Sequence, residues 1–453
     1  MTQDKTTAAF RFGYGLPLFD QAPAEPASML AALRGPDVMA TTYPGPHLAD
    51  LTETLARADS MLRTSRRAEG AQAEAARQDY RQAVAQLEGV TLQAAKTTVA
   101  RALDATDGFR ERLVQFWADH FTTKARSRRD SPLPATMVEE AIRPYVTDRF
   151  GDMLKAVIQH PAMLGYLDQS RSFGPNSRIG QRRTKGLNEN LARELLELHT
   201  LGSGYTQDDV TQMAELLTGL TVGKKGPTFD ARRAEPGPET VLGTSYDGDT
   251  LATVLKALDD LAEHPTTAAH LARKLAVHFV SDQPNAELVQ ALTDAWRISG
   301  GDLLAVSEAL LTQSTAWGKM QDKARQPYDF VVAALRALGL DGADITRMAD
   351  DVFRQTILQP MAAMGQPWQS PPGPDGWSEA AEAWITPEAM AARITWAMEM
   401  PQQLVNPLPD PATLMLRSLG MHLSDRLAWA VPRSENIREA VGLVLASPEF
   451  NRR

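Results

Sequence analysis

The chain has 453 residues and no cysteine. Disulfides, thiolate nucleophiles and thiolate metal sites are therefore excluded together. Long apolar runs are missing too. No window approaches the roughly 18 apolar residues of a membrane span, so no membrane insertion is expected. Basic residues are outnumbered: 47 Lys and Arg against 56 Asp and Glu leave a net charge of -9. A general nucleic-acid binder needs a broad basic face, and no nucleic-acid partner is expected here. The first residues, "MTQDKTTAAFRFGYGLPLF", lack a basic segment followed by an apolar run, and they carry no twin arginine. On this reading the chain is cytoplasmic by its own sequence, and periplasmic only if exported with a partner. Nucleophile elbows, phosphate-cradling glycine loops and kinase signatures are absent; "GSG" at 202–204 reads as a turn.

What is present is helical periodicity, with little strand-like alternation. Residues 48–88 are rich in Ala, Arg and Glu and read as a long exposed helix or helical pair. Helical patterns continue over 90–121, 136–147, 151–158, 188–201, 206–218, 250–263, 265–280, 285–297, 302–313, 326–338, 343–358, 387–400, 411–418 and 434–446. Three stretches interrupt them: the basic loop 169–186, the Gly- and Pro-rich 222–249, and "MGQPWQSPPGPDGW" at 364–377, too proline-rich for a helix. The expected fold is all-α: one large multi-helix domain over 1–453 with long Pro/Gly-rich loops, at most one short hairpin, and 48–90 as a protruding helical element.

The densest polar stretch is "GLNENLARELLELHTLGSGYTQDDV", 186–210. Asn188 suits a helix N-cap and Gly202 a C-cap. Thr206 and Asp209 form a capping-box variant that restarts a helix ending near Gly219. At about 100° per residue, Leu191, Ala192, Leu195, Leu196 and Leu198 make an apolar face with His199 in its middle. Asn190, Arg193, Glu194 and Glu197 fall on the other side, and Glu189, Arg193 and Glu197 form a charge ladder. His199 and Glu197 point apart, so one helix cannot offer both to a metal. His199 reads as a core histidine hydrogen-bonded to backbone. Asn190, Glu194 and Glu197 read either as a solvated or ion-paired face or as a carboxylate site facing a cleft.

In "LVQFWADHFTTKARSRRD", Leu113, Phe116, Trp117 and His120 share one face. His120 reads as a core residue, or as a titratable group whose pKa is tuned by its aromatic neighbours. The basic loop before the acidic helix holds Arg171, Arg178, Arg182, Arg183 and Lys185. With Arg193 they either pair with Glu189, Glu194 and Glu197 or bind an anion, which guanidinium forks suit. In "EHPTTAAHLARKLAVHFVSD", His264 precedes a proline at the first helical position. His270 and His278 lie off the apolar stripe and lack the i, i+4 spacing of a helical metal site.

The motifs "NENLARELLELHTLGSGYTQDDV", "FWADHF", "HPTTAAHLARKLAVHFV", "EPGPETVLG", "GQPWQSPPGPDGW" and "SPEF" occur in the order seen in a bacterial family, "domain of unknown function 1800". The chain resembles that family over nearly its whole length. The resemblance carries the family's motif positions onto Trp117, His120, Asn188, Asn190, Arg193, Glu194, Glu197, Gly202, Asp209 and Gly219. It implies Phe in many relatives where this chain has His199. It also implies a partner, because genes of the family commonly lie beside one for a sulfatase- or phosphatase-like protein with a twin-arginine export signal.

Two functions are thus in view. The first is a non-catalytic helical partner of the sulfatase-like protein. The second is a metal- or carboxylate-dependent hydrolase in which Glu194 or Glu197 is base or ligand, His120 is acid or ligand, and the arginine loop clamps an anion. Such a Glu/His site suits zinc, iron or manganese, although the sequence requires no cofactor. A third reading makes "PPGPDGW" an aromatic–proline docking surface.

Overall fold

Helices form wherever apolar residues recur at helical spacing, and two hydrophobic cores result. The computed structural model describes residues 5–18, 25–182, 186–223, 226–318 and 323–453. The first core gathers Phe12, the helix Phe109–His120, residues 137–167, 191–220, and the helices Leu251–Glu263, Pro265–Phe279, Ala286–Ser299 and Leu303–Thr312. The second joins the far half of the helix Gly70–Asp104 to Pro327–Leu338, Pro387–Glu399, Pro411–Leu419 and Ile437–Ala446. The fold is all-α. Among the described residues no helix is long and apolar enough to cross a membrane.

The Ala/Arg/Glu-rich region is a pair of helices, Leu48–Arg67 and Gly70–Asp104, packed on each other. Leu51, Ala58, Ala73, Ala76, Ala83, Val84 and Leu87 are buried along them. Most of these are small, which lets two helices approach closely and leaves their charged faces in water.

The Gly- and Pro-rich stretch holds two hairpins where the sequence suggested at most one. Leu220–Gly223 pairs with Gly226–Phe229, and Glu239–Val241 with Thr244–Tyr246, both antiparallel. Pro236, Gly237 and Pro238 separate them, since two prolines so close cannot continue a ladder.

Three predicted helices are subdivided. The 188–201 pattern is an α-helical Asn190–Glu194 followed by one π-turn, Leu195–His199. The 136–147 pattern runs from Leu133–Met137 through a π-turn, Val138–Ile142, to Arg143–Tyr145. The 343–358 pattern becomes Gly342–Arg347, Asp350–Phe353 and a π-turn, Arg354–Leu358. A π-turn inserts one residue and rotates the next stretch of helix, and such turns concentrate near functional sites.

Candidate functional site

The helix Phe109–His120 buries the face its spacing predicts: Leu113, Phe116, Trp117 and His120. Trp117 packs among Phe116, Phe121 and Phe150. His120 has both ring nitrogens engaged. The His199 carbonyl can only accept, so Nε2–H donates to it at 3.2 Å, which leaves Nδ1 to accept from Lys274 Nζ at 3.0 Å. Burial first, then the Lys274 charge, hold the His120 pKa well below the ordinary histidine value. His199 is also buried, on the side away from the exposed Glu197, as the wheel implies. Its ring Nδ1 lacks a partner, so the expected backbone hydrogen bond of the ring is not what holds it; its carbonyl is the group engaged. Burial and Lys274 push its pKa down to about 3.

The polar face of the next helix is partly ion-paired. Arg193 donates to Glu189 at 3.1 Å and to Gln207 at 3.0 Å, and Glu189 also accepts from Thr211 at 3.0 Å. Glu194 is half-buried; burial, then the neighbouring Glu197 charge, raise its pKa. Asn190 is exposed. Asn188 Oδ1 accepts from Asn190 N–H at 2.9 Å, closing the turn before the helix. Gly202 has φ +74, and a Cβ there would meet the His270 ring at 2.4 Å, so both the backbone and the neighbour demand glycine. Thr206 and Asp209 form the predicted capping box, and Asp209 Oδ1 also accepts from Leu242 N–H at 2.6 Å, tying this helix to the second hairpin.

The basic loop does not gather on the acidic helix. Arg171 lies 3.5 Å from Asp168, and Arg178 and Arg182 are exposed. Arg183 and Lys185 lie outside the described residues. Among the described residues no group of three His, Asp or Glu can hold a metal ion.

A different place does gather chemistry. The proline-rich stretch 364–377 folds over the end of the Phe109–His120 helix. Asp119 Oδ1 accepts from Trp377 N–H at 2.9 Å. Gly376, at φ +80, lies so close that a Cβ would sit 2.7 Å from both Asp119 O and Oδ1. The loop roofs a cavity of about 120 Å³. Tyr14, Tyr328 and Met361 line it from the second core and Met137 from the first, so the cavity lies on the seam between the two. Two of the motifs that carry the resemblance, "FWADHF" and "GQPWQSPPGPDGW", are thus one piece of structure.

The chain belongs to the family described as Protein of unknown function (DUF1800). The family model matches residues 11–452. Comparison with curated proteins and with solved structures gives no match.

In this DUF1800 chain the cavity wall carries buried polar atoms without partners: Thr123 Oγ1, Trp368 Nε1, Gln369 Oε1 and Arg112 Nε. Such atoms are costly to bury. Gln369 also holds φ +46, a left-handed backbone that non-glycine residues seldom adopt and that clusters at functional sites.

Charged groups fill one side of the cavity. His278 lies between Glu379 and Arg112: Arg112 donates to Nε2 at 3.4 Å, so Nδ1–H donates to Glu379 at 2.5 Å. Burial pushes the His278 pKa down to about 4, against the pull of Glu379. Burial pushes Glu379 up, but His278, Lys323 and Arg453 outweigh it and hold the carboxyl well below its usual range. Arg112 and Arg453 flank Asp329 at 3.0 and 3.3 Å. Asp119 differs from these carboxylates. It has no ion pair within bonding distance among the described residues, and burial, then the Glu379 charge, push its pKa up to about 7. The cavity therefore combines a carboxyl that titrates near neutrality with a neutral imidazole oriented by a carboxylate, an arrangement suited to general acid–base chemistry.

Sequence reasoning missed Asp119, Thr123, Trp368, Gln369, His278 and Glu379. The signal lay in the two motifs themselves, and in His278 standing off its helix's apolar stripe without an assigned partner.

Proposed function

We propose that the protein is a hydrolase that takes a small polar molecule into the cavity under the 364–379 loop. Asp119 is the proton donor, and His278, oriented by Glu379, is the base once its Nε2 lone pair exchanges the 3.4 Å Arg112 contact for the substrate. The observation that carries the reading is that Asp119, His278 and Glu379 line one ring-sized space, whose wall also includes Thr123, Trp368 and Gln369, each with a buried polar atom that lacks a partner. Polar side chains of both donor and acceptor type among aromatic ones suit a ligand with both kinds of group. An apolar cavity of about 150 Å³ holds benzene, so a single ring sets the scale. Glu194, Glu197 and His120 remain the alternative hydrolytic set, which the raised Glu194 carboxyl favours.

The test is native mass spectrometry of the protein purified from its own host, alongside a Thr123→Val, Trp368→Phe double variant. A stoichiometric small-molecule mass carried by the first and lost from the second is the expected result. Turnover in a panel of chromogenic esters, amides and glycosides, lost in His278→Gln, would then assign the chemistry. Bare chains in both preparations and no turnover would end the reading.

A second reading is favoured by the C-terminal helices. Leu416, Met421, Trp429 and Ile437 are large apolar side chains standing in water, more than half exposed, on helices that pack together. Such groups mark protein contacts. In this reading the chain is the non-catalytic partner of an exported sulfatase- or phosphatase-like protein, and it reaches the periplasm only in that complex. Co-purification of the two proteins, weakened by Trp429→Ser, is the expected outcome; failure to co-purify at all would sink it.

A further inference from the structure

Lys274 is half-buried on the helix Pro265–Phe279, and its amine is hydrogen-bonded to the His120 ring. The carbonyl of His199 takes the hydrogen on the far side of that ring. This fixes the tautomer and aims the Nδ1 lone pair at the amine. A nucleophile, a base at 3.0 Å and a third group that orients the base form one line, the arrangement that activates side-chain nucleophiles. Phe116, Trp117, Phe121 and Phe150 wall the base on its other faces.

We infer that Lys274 is a reactive amine that condenses with an aldehyde or ketone, with His120 as its base. The amine nitrogen attacks the carbonyl carbon and a C–N bond forms. One amine hydrogen passes to His120 Nδ1 and from there to the carbonyl oxygen, which becomes a hydroxyl. The C–O bond then breaks, and the oxygen leaves as water with the second amine hydrogen. The product is an imine on Lys274, and no oxidant or reductant is consumed.

The charged surroundings agree. Burial lowers the Lys274 pKa, and the carboxylates Asp119, Glu379 and Asp375 only partly oppose it. Glu379 is committed to His278 and Lys323, and Asp119 to Trp377 N–H. The other titratable neighbours, His120, His199 and His270, are held neutral in the same environment. No carboxylate is bonded to the amine among the described residues, so no direct ion pair offsets the burial that lowers its pKa.

The experiment is reductive labelling of the intact protein at pH 7 with propanal and sodium cyanoborohydride, with lysines quantified by peptide mass mapping. Lys274 is expected to react several-fold faster than the exposed Lys256. Its rate should level off at lower pH than that of Lys256, and His120→Gln should slow Lys274 alone. Labelling of Lys274 no faster than Lys256, with the same pH profile, overturns the inference. That comparison needs only the unmodified protein, so it decides the matter even if His120→Gln fails to fold. An unchanged rate in a folded His120→Gln protein removes the base.

Discussion

The side chain of Asp119 accepts a hydrogen bond from the backbone N–H of Trp377 at 2.9 Å, across 258 residues of chain. This contact fastens the loop that roofs the cavity to the helix that forms its floor. Its acceptor is the same carboxyl that burial drives up to about 7. Because the folded pKa lies above the ordinary aspartate value of 3.8, the folded state holds this proton where the unfolded chain has lost it. Stability linked to Asp119 is therefore greatest at low pH and falls as pH rises from about 4 to about 7.

Asp119→Asn keeps an oxygen for Trp377 and removes the charge. Its thermal midpoint is expected to fall less than the parent's between pH 5 and pH 8. The size is on the order of a few kcal/mol at the upper end, since each unit is about 1.4 kcal/mol. Melting curves across that range would show it, and parallel curves for the two proteins would refute the assigned environment.

Gly376→Ala is expected to undock the same loop. A Cβ at this position would lie 2.7 Å from two Asp119 oxygens, and φ is +80. The left-handed backbone alone costs about 1–2 kcal/mol for a non-glycine residue, and the clash adds to it. Limited proteolysis within 364–379 should become faster while far-ultraviolet circular dichroism stays unchanged. Gly204→Ala makes a useful contrast. Gly204 is also left-handed, but a Cβ there would meet nothing within 4 Å, so cleavage of the 364–379 loop should not change.

Local patterns were legible in the sequence because their causes are local. Thr206 and Asp209 cap a helix by bonding each other's backbone, and three-residue spacing is enough to read that. The burial of His199 opposite Glu197 follows from helical geometry. What escaped were features made by residues far apart in the chain. His278 looked like an off-stripe surface or core histidine because its partners, Arg112 and Glu379, come from 166 residues before it and 101 after it. The π-turns at Leu195–His199 and Val138–Ile142 leave no periodic mark, since packing selects them over the α-form. Asp119 was passed over for its neighbour His120, whose ring is already committed on both sides.

Arg101 braces the part of the cavity wall that Glu139 supplies. Its guanidinium takes both oxygens of Glu139 at 2.6 and 2.9 Å and also donates to the Tyr43 carbonyl at 2.8 Å. Arg101 is almost fully buried, and Glu139 lines the cavity. Arg101→Met would leave that carboxylate unpaired, at a cost of about 3–5 kcal/mol. Chemical denaturation should show a loss of that size at pH 7, and adding Glu139→Gln to Arg101→Met should recover most of it. A double variant no more stable than Arg101→Met would mean that packing, not charge, is what Arg101 contributes.

The unpartnered atoms allow function and stability to be separated. Thr123 and Trp368 each bury a polar atom that nothing in the protein satisfies. If they exist to hold a ligand, removing them should help the empty protein and harm the loaded one. Thr123→Val nearly keeps shape while deleting the hydroxyl, and Trp368→Phe deletes the indole N–H together with one ring. Thr123→Val should stabilise the ligand-free chain by about 1 kcal/mol, the cost of an unsatisfied buried group. In a protein of this size that is a rise of about 1–2 °C in the thermal midpoint. The same changes should abolish the shift in midpoint that a bound small molecule gives the parent. Destabilisation of the empty chain by Thr123→Val would mean that the hydroxyl already has a partner inside the fold, and that the cavity is a packing feature, not a binding site.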